Sequence, residues 1–290
     1  MKIGIVTCEK VESLVSSEQP LIPLFRQKNF IAEAVVWNDP EVSWKEYSHL
    51  LIRSVWDYHL DPTAFSKWLD QVENYGIKTL NSIETIRANQ HKFYLRGLED
   101  KGVEIVPTVF IDKTKDLNLS SLKDIGWRQA VIKPAISASS FFTEAFVLAS
   151  LGEIENKYRS LAQERDLLIQ KFMPEVRTFG ELSIIFFNRK YSHTVLKRAT
   201  ANEFRVQSEF GGTTRSYQPN MAIIATASDI LSRFDGPILY ARVDGLIRDG
   251  RFILMEIELI EPHLFFEFEK MSIERFVKAT LEIISNEKAV

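Results

Sequence analysis

The chain has 290 residues, of which 45% are hydrophobic and 26% are charged, and its formal net charge is −3. This ordinary composition excludes a disordered chain. The slight negative charge gives no general electrostatic attraction to nucleic acid, so no nucleic-acid partner is expected. A chain of this length predicts about two or three compact units rather than a single core.

Cysteine use and the first residues bear on where the protein works. The single cysteine, Cys8, excludes an internal disulfide and a cysteine-based zinc site. The sequence starts with a strand-like segment, Lys2–Thr7, and not with a signal-peptide pattern. No apolar run of the sequence approaches the length of a membrane span. We therefore expect a cytoplasmic protein with no membrane partner, and a homodimer is compatible with the sequence.

Residues 1–89 alternate between strand-like and helix-like segments, which predicts a parallel sheet. The first strand lacks a following G-x-G-x-x-G, and G-x-x-x-x-G-K-[ST] occurs nowhere, which disfavours a Rossmann dinucleotide site and a P-loop. The strand at His49–Ser54 ends in the run RSVWDY. Because ligands of open α/β sheets lie at the carboxyl ends of strands, we expect Arg53 to clamp a substrate carboxylate. The alternative is a structural loop in which the aromatic residues pack and Arg53 pairs with Asp57.

A predicted hairpin near the C-terminus carries a cluster of charges. Its two strand-like segments, Tyr240–Ile247 and Phe252–Ile260, flank the turn sequence Arg-Asp-Gly. Carboxylate oxygens suit Mg²⁺, which binds through one or two carboxylates and substrate phosphates. The alternative is a solvated strand face with ordinary salt bridges. Residues two apart in a strand share a face, so each strand has a charged side. The first strand carries Arg242 and Asp244 on that side. The second carries Glu256 and Glu258 there, with Met255, Ile257 and Leu259 on its opposite face.

The length of the hairpin loop decides whether these charges can meet. A two-residue turn at Asp249-Gly250 would pair Asp244 with Met255 and place both glutamates on the other face. An odd loop would restore the match. We therefore predict an odd loop at Arg248–Arg251. A three-residue loop with Gly250 left-handed and forming a bulge would provide it.

The pattern R-x-D, a turn, and then E-x-E inside a hydrophobic strand resembles the metal end of the ATP-grasp ligases, a superfamily that includes D-alanine–D-alanine ligase and glutathione synthetase. Glu258 stands where asparagine is commoner in that superfamily. The runs RSVWDY and FRVQSEFGG add a closer resemblance to the family of the D-cycloserine-forming cyclo-ligase. The resemblance implies a mixed α/β ATP-grasp fold. Its parts are an N-terminal parallel-sheet domain (1–89), then central (90–174) and C-terminal (175–290) subdomains that clamp ATP, the last with the metal site.

The same resemblance implies a set of site residues, with ATP and Mg²⁺ as cofactors and Mn²⁺ as a substitute for Mg²⁺. Glu175 is a rival of Glu181 for the ribose, and the sequence does not decide between them. The implied roles are metal ligands (Asp244, Glu256, Glu258), a group that stabilises the transferred phosphoryl (Arg242), phosphate contacts (Lys92, Lys133, Ser139), a bed for adenine (Gln170, Lys171, Phe172, Met173), a ribose contact (Glu181) and substrate contacts (Arg53, Lys197, Arg205, Arg215).

The activity that the resemblance implies is ATP-dependent ligation of a small molecule. A carboxylate, expected to be an amino acid or a derivative, would be activated as an acyl phosphate and attacked by an amine to form a C–N bond. The aperiodic segment Ala199–Gln218 would act as a lid that excludes water. The alternatives are an intramolecular cyclo-ligase that acts on an amino-acid derivative, and a nucleotide-binding protein without turnover.

Overall fold

The computed structural model describes residues 1–200, 203–206 and 210–287. These residues form one sheet near the N-terminus and two further sheets after it, with four, four and five strands. The mixed α/β architecture predicted from the sequence is confirmed. The predicted boundaries near residues 90 and 175 stay predictions.

The first sheet is entirely parallel, with the strand order β2-β1-β3-β4. Two local signals begin its helix α2 (Pro62–Asn74): Asp61 caps the helix by accepting a hydrogen bond from the Ala64 N–H, and Pro62 occupies the first turn. The elements of this part are β1 (Lys2–Thr7), α1 (Leu21–Gln27), β2 (Ile31–Val36), β3 (His49–Ser54), α2 (Pro62–Asn74), β4 (Lys78–Thr79) and α3 (Ile83–Gln90).

The second sheet is antiparallel, with the order β5-β8-β6-β7. Apolar residues of β6, β8 and the long helix α5 form a core of their own on one side of it. The elements are α4 (Tyr94–Asp100), β5 (Thr108–Ile111), β6 (Gln129–Pro134), β7 (Glu144–Val147), α5 (Leu151–Glu164) and β8 (Leu167–Lys171).

The third sheet is also antiparallel, with the order β11-β10-β9-β12-β13. Its edge strand β13 is covered by the α4–β5 connection, where Val106 N–H donates to the Leu254 carbonyl at 2.9 Å. The elements are α6 (Glu175–Thr178), β9 (Glu181–Phe187), β10 (Lys190–Arg198), β11 (Thr213–Ser216), α7 (Met221–Ser232), β12 (Tyr240–Arg248), β13 (Arg251–Glu258) and α8 (Ser272–Glu287).

The predicted odd loop between β12 and β13 is wrong. Arg248 pairs with Arg251, and the turn contains only Asp249 and Gly250, both left-handed with φ of 51° and 76°. This geometry is the two-residue turn that Asp-Gly favours in hairpins. The extra residue is instead accommodated inside the ladder, at Met255.

The bulge at Met255 achieves what the odd loop was expected to achieve. Asp244 pairs with Glu256, whereas the next residue of β12, Gly245, pairs with Leu254. Arg242 correspondingly pairs with Glu258, so the four charges share one face. The prediction that Met255 lies on the opposite face is wrong as well, because the bulge turns Met255 toward the charged side, where it lines a cavity.

Position 245 has no room for a side chain. A Cβ atom there would lie 2.5 Å from the Ile253 carbonyl oxygen and would also overlap the Phe252 ring. The bulge therefore depends on glycine at this position. Close approach of another backbone is a common reason for glycine inside a strand.

We expect Gly245→Ala to lower the free energy of unfolding by about 1–3 kcal/mol, because the added methyl group overpacks the bulge. Gly97→Ala is the matched control. Position 97 lies in α4 with open space around its Cβ, so alanine should raise stability there by about 0.5–1 kcal/mol. Urea unfolding followed by fluorescence measures both. Equal behaviour of the two variants would contradict the assigned role of Gly245.

Candidate active site

A cavity of about 520 Å³ lies where the three sheets meet. Of the predicted site residues, only Arg53 and Arg215 are absent from its lining. The structure brings the following predicted residues together around it: Lys92, Lys133, Ser139, Gln170, Lys171, Phe172, Met173, Glu181, Lys197, Arg205, Arg242, Asp244, Glu256 and Glu258.

Arg242 forms the centre of the charged cluster in this cavity. Its guanidinium is bidentate to Asp244, with Nη2 at 2.8 Å and Nε at 3.0 Å from Oδ2, and it also contacts Glu258. The Ser183 hydroxyl donates to Asp244 Oδ1 at 2.5 Å. Arg242 and Asp244 belong to β12 and Glu258 to β13, so the pairing that follows from the bulge builds this cluster directly.

Two lysines of the central segment reach across to Glu256. Lys92 Nζ lies 3.1 Å from one carboxylate oxygen of Glu256, and Lys133 Nζ lies 3.3 Å from the other. Lys92 also donates to the Ser137 carbonyl at 2.7 Å. Both lysines are largely buried, with side chains that are 6% and 12% exposed, so each is held by its partners and is not a freely moving surface charge.

The pKa values follow from burial opposed by these cations. Burial raises the pKa of Asp244 and of Glu256, but Arg242 beside the former and the two lysines beside the latter more than compensate, so both pKa values are lowered. At Glu258 burial wins and raises the pKa to about 7, although Arg242 opposes it. Burial likewise raises the pKa of Glu261. Burial therefore outweighs the nearby cations at Glu258 and Glu261 but not at Asp244 and Glu256.

Glu181 and Glu175 occupy different surroundings, which bears on the choice between them that the sequence leaves open. Glu181 lines the cavity and accepts from Lys197 Nζ at 2.5 Å; Lys197 also lies 3.8 Å from Asp244. Glu175 is not among the lining residues and pairs with Arg248 at 3.5 Å. The geometry therefore favours Glu181 as the group within reach of a ligand.

The end of β8 forms the apolar part of the cavity. Met173 packs with Val106, Val176 and Val206 in a small hydrophobic cluster. The Gln170 amide is engaged with the Thr108 hydroxyl at 3.1 Å. Flat apolar walls with few side-chain polar groups are suited to an aromatic base.

The loop after β6 carries Ser139 into the cavity in an unusual backbone conformation. Ser139, Ser140 and Phe142 are left-handed, with φ of 48°, 57° and 45°, where glycine would be the default. The Phe141 ring between them packs edge-on against His59 at 4.9 Å. The loop thus adopts left-handed conformations without glycine, and it packs against the N-terminal part of the chain through Phe141.

Residues 201, 202 and 207–209 of the predicted lid lie outside the described residues. The segment is not aperiodic throughout, because Thr213–Ser216 form β11. Arg205 lies beside the cavity, 2.6 Å from Glu203 and over the Phe210 ring at 3.6 Å. Arg215 is an exposed residue of β11 near Tyr217.

Arg53 is fully buried and pairs with a residue that the sequence did not single out. Its Nη2 lies 2.7 Å from Glu18 Oε1 and 2.6 Å from the Pro262 carbonyl oxygen, and its guanidinium stacks over Tyr240 at 4.6 Å. Asp57, the alternative partner considered from the sequence, instead accepts from Trp37 at 2.7 Å. The substrate role of Arg53 stays a prediction, and its observed contacts are with the protein.

The segment after β13 is held by side chains from several parts of the chain. Residues 259–264 lie outside the regular strand, and their buried carbonyls need partners. Each carbonyl accepts a hydrogen bond from a different side chain: Leu259 from Asn81 (2.7 Å), Ile260 from Tyr240 (2.9 Å), Glu261 from Trp56 (3.0 Å), Pro262 from Arg53 (2.6 Å), His263 from Arg242 (3.3 Å) and Leu264 from His193 (3.0 Å).

Comparisons with known proteins agree with this geometry. Residues 3–81 match the family model described as the N-terminal domain of D-cycloserine synthetase DcsG. The cycloserine biosynthesis protein DcsG of Streptomyces lavendulae is 26% identical over 279 residues, which cover 91% of this chain and 92% of that protein. The crystal structure of D-cycloserine synthetase DcsG superposes with a TM-score of 0.88 at 22% identity, covering 97% of this chain and 99% of the other.

A second solved structure, that of another ligase, also shares this fold. D-alanine–D-alanine ligase from Bacillus anthracis, complexed with ATP, superposes with a TM-score of 0.70 at 17% identity and with 99% of both chains covered. The chain has the ATP-grasp fold. The fold predicted from the charged hairpin is thereby confirmed, and the comparisons bear out the predicted class, an ATP-dependent ligase that forms C–N bonds.

The structure gives less direct support for a metal site than for the ATP-grasp fold. Among the described residues, no group of three or more His, Cys, Asp or Glu side chains is arranged to hold a metal ion. The hairpin carboxylates instead face Arg242 and the lysines. The donor set still fits Mg²⁺, since it consists of oxygen atoms on one strand face. Within the described residues, no helix has both the length and the apolar character needed to cross a membrane.

The sequence reasoning missed three residues near the cavity or behind it. Glu18 partners Arg53, and Glu261 and His263 line the cavity just beyond the E-x-E strand. Glu261 had a signal, because it is a charged residue in an apolar run immediately after a strand, where ligands gather. Glu18 had none, since its role depends on a contact with a distant strand.

We expect Arg53→Met to lower the free energy of unfolding by about 3–5 kcal/mol, because it leaves the Glu18 carboxylate buried and unpaired. Glu18→Gln combined with Arg53→Met should recover part of that loss. Arg87→Met, which breaks the surface pair with Asp70, is the control and should cost less than about 1 kcal/mol. Chemical denaturation of wild type, Arg53→Met, Glu18→Gln, the double variant and Arg87→Met measures the coupling. An Arg53→Met variant as stable as the control would remove Arg53 from its structural role.

Proposed function

We propose that the protein is an ATP-dependent ligase that activates a small carboxylate, an amino acid or its derivative, as an acyl phosphate for attack by an amine. The observation that carries this proposal is the alternation of cations and carboxylates around one cavity: Lys92, Lys133, Lys197 and Arg242 interleaved with Glu181, Asp244, Glu256 and Glu258.

An ion-pair cluster of this kind is suited to an exchange of partners. Without ligand, each buried cation is neutralised by a carboxylate, which removes the penalty of an unpaired buried charge. Nucleotide phosphates would take over Lys92 and Lys133, and a metal would take over the carboxylates Asp244, Glu256 and Glu258. Both halves of the cluster remain neutralised after the exchange. A site that bound only an anion would need the cations and not the interleaved carboxylates.

The remaining parts of the nucleotide have matching surroundings. The apolar wall at Phe172 and Met173 would receive the adenine, with Gln170 and Lys171 beside it, and Glu181 the ribose hydroxyls. Ser139 lies on a loop that could approach the phosphates through its backbone N–H groups.

Phosphoryl transfer to a carboxylate needs alignment and charge neutralisation more than covalent help from the protein. Mg²⁺, when bound, would supply neutralisation of the phosphate charge. Arg242 would lose Asp244 as a partner when the metal takes over that carboxylate, keep its contact with the His263 carbonyl, and stabilise the transferred group. Lys197 and Arg205, which line the same cavity, would contact the substrate or the terminal phosphate, and closure over Arg205 would exclude water.

A second candidate, an intramolecular cyclo-ligase on an amino-acid derivative, is favoured by a specific observation. The family model that matches residues 3–81 is that of the N-terminal domain of D-cycloserine synthetase, and this part of the chain supplies Trp56 and Tyr58 to the cavity. In this case the attacking group would belong to the activated molecule itself, so turnover would require no added amine.

The test is a screen for ADP release over amino acids and small carboxylates, each with and without added amines. Release that depends on both a carboxylate and an amine supports the intermolecular ligase. Release with a single compound whose product has lost water supports the cyclo-ligase. Tight ATP binding with no release on a broad panel would favour a nucleotide-binding protein without turnover.

Lys92→Met and Lys133→Met should each raise the Kd for ATP by about 10- to 100-fold, because each removes a charge-assisted contact with phosphate. Lys113→Met is the control, since Lys113 is exposed and does not line the cavity. Isothermal titration calorimetry gives the affinities. Unchanged affinity in both cavity variants would contradict the assignment of the phosphate site.

Glu256→Gln should lose about 100-fold or more of the Mg²⁺-dependent activity, since even outer partners of metal ligands cost about 10- to 100-fold. Glu258→Asn should retain more activity, because asparagine keeps a neutral oxygen at that position. Initial rates measured against Mg²⁺ concentration compare the two variants. A Glu256→Gln enzyme as active as the wild type would refute the metal site.

A further inference from the structure

Glu261 is a buried carboxylate in the cavity that has no role in the site described above. It is 8% exposed and lines the cavity. Within the described part of the chain its carboxylate has neither a hydrogen-bond donor nor a cation in ion-pair contact; only its backbone carbonyl is engaged, by Trp56 at 3.0 Å. The other cavity carboxylates Glu181, Asp244, Glu256 and Glu258 each have a cationic partner. Burial of a carboxylate without a partner is costly, and it raises the pKa of Glu261. A cationic ligand in the cavity would stabilise the ionised form, which the described residues do not pair.

A neighbour of Glu261 in the cavity also lacks a hydrogen-bond partner within the described part of the chain. Tyr58 also lines the cavity and is 3% exposed, and its hydroxyl has no hydrogen-bond partner among the described residues. Burial raises the pKa of Tyr58 above its usual range, and Glu261 adds to the effect, so the phenol and the carboxylate influence each other. Trp56 completes this part of the lining. Aromatic rings around a carboxylate attract cations through the ring faces as well as through the charge.

The side chain of Glu261 stands on a rigid support. The carbonyls on both sides of it, at Ile260 and Pro262, are held by Tyr240 and Arg53. Arg242 donates to the carbonyl of His263 two residues further on, which joins this segment to the arginine assigned to the transferred phosphoryl group. Binding groups held in place before the ligand arrives lose less entropy on binding.

We propose that Glu261, with the Tyr58 hydroxyl and the Trp56 ring, is a subsite for a primary ammonium group on the substrate. This inference rests on the proposed function and deepens it: the activated molecule is a carboxylate that also carries an ammonium group, retained during the reaction and held at Glu261 while its carboxylate lies toward Arg242. The ammonium neutralises the buried carboxylate and donates to it and to the phenol oxygen.

Arg53 acquires a different role in this view from the one expected from the sequence. It is a positioning residue, because it holds the Pro262 carbonyl next to Glu261 and does not line the cavity. The polar and aromatic run at the end of β3 therefore serves the substrate through Trp56 and Tyr58 directly and through Arg53 indirectly.

The experiment compares wild type, Glu261→Gln, Tyr58→Phe and the control Glu269→Gln, which lies in the same connection and outside the cavity lining. The probes are amino acids of both configurations and the matching carboxylic acids without the amino group. In the wild type, kcat/KM for ADP release should favour the amine-bearing members. Glu261→Gln should lose about 100-fold for these and change less than about 3-fold for the matching acids, while the Kd for ATP stays the same. Tyr58→Phe should show a smaller loss, about 3- to 10-fold.

A binding assay keeps this test separate from that of the ligase activity. Ligand-observed NMR with the same probe pairs measures binding to wild type and Glu261→Gln without turnover. If no probe releases ADP but amine-bearing probes bind to wild type and not to Glu261→Gln, the subsite stands and the proposed function fails. Equal binding or equal kcat/KM with and without the amino group overturns the subsite. A changed Mg²⁺ dependence of Glu261→Gln with unchanged amine preference also overturns it and assigns Glu261 to the metal.

Discussion

The segment Leu259–Leu264 imposes a constraint on which the whole site depends. It leaves the regular ladder while still buried, so its carbonyls need hydrogen-bond donors. Side chains from the N-terminal sheet, from β10 and from β12 supply them. The N-terminal and C-terminal parts of the chain are thus joined at the place where the cavity lies. Arg53 and Arg242 each satisfy one of these carbonyls while also pairing with a carboxylate, so the same contacts stabilise the fold and align the site.

A second constraint is the register of the hairpin. The charged residues of β12 and β13 meet only because one extra residue, Met255, lies between the turn and the glutamates. The space for this bulge exists because position 245 has no side chain. Bulges of this kind redirect side chains near functional sites. Here the bulge also turns Met255 into the cavity, where it joins the apolar wall near the end of β8.

The charge balance of the cavity connects the structure with its proposed chemistry. Buried cations and carboxylates are stable together because each compensates for the desolvation of the other. Such a cluster can accept a divalent cation and a polyanion at once, since the two ligands replace the two halves of each ion pair. Glu261 is the exception in this arrangement, because its carboxylate has no cationic partner among the described residues. This is why we assign that part of the cavity to the ammonium group of the substrate.

The sequence by itself determined the order of the elements, the fold and most of the cavity residues. Alternating strands and helices, the helix start at Asp61-Pro62 and the charged strands of the hairpin are local patterns, and each is governed by residues close together in the chain. Tertiary structure decided what depends on distant contacts. The location of the bulge follows from how Gly245 packs against Phe252 and Ile253. Arg53 turns inward because Glu18 and the Pro262 carbonyl offer it buried partners, which no local pattern reveals. Among the described residues the Glu261 side chain has no ion-pair or hydrogen-bond partner, although Lys92 and Arg242 line the same cavity. Only the assembly of distant segments around the cavity makes that visible.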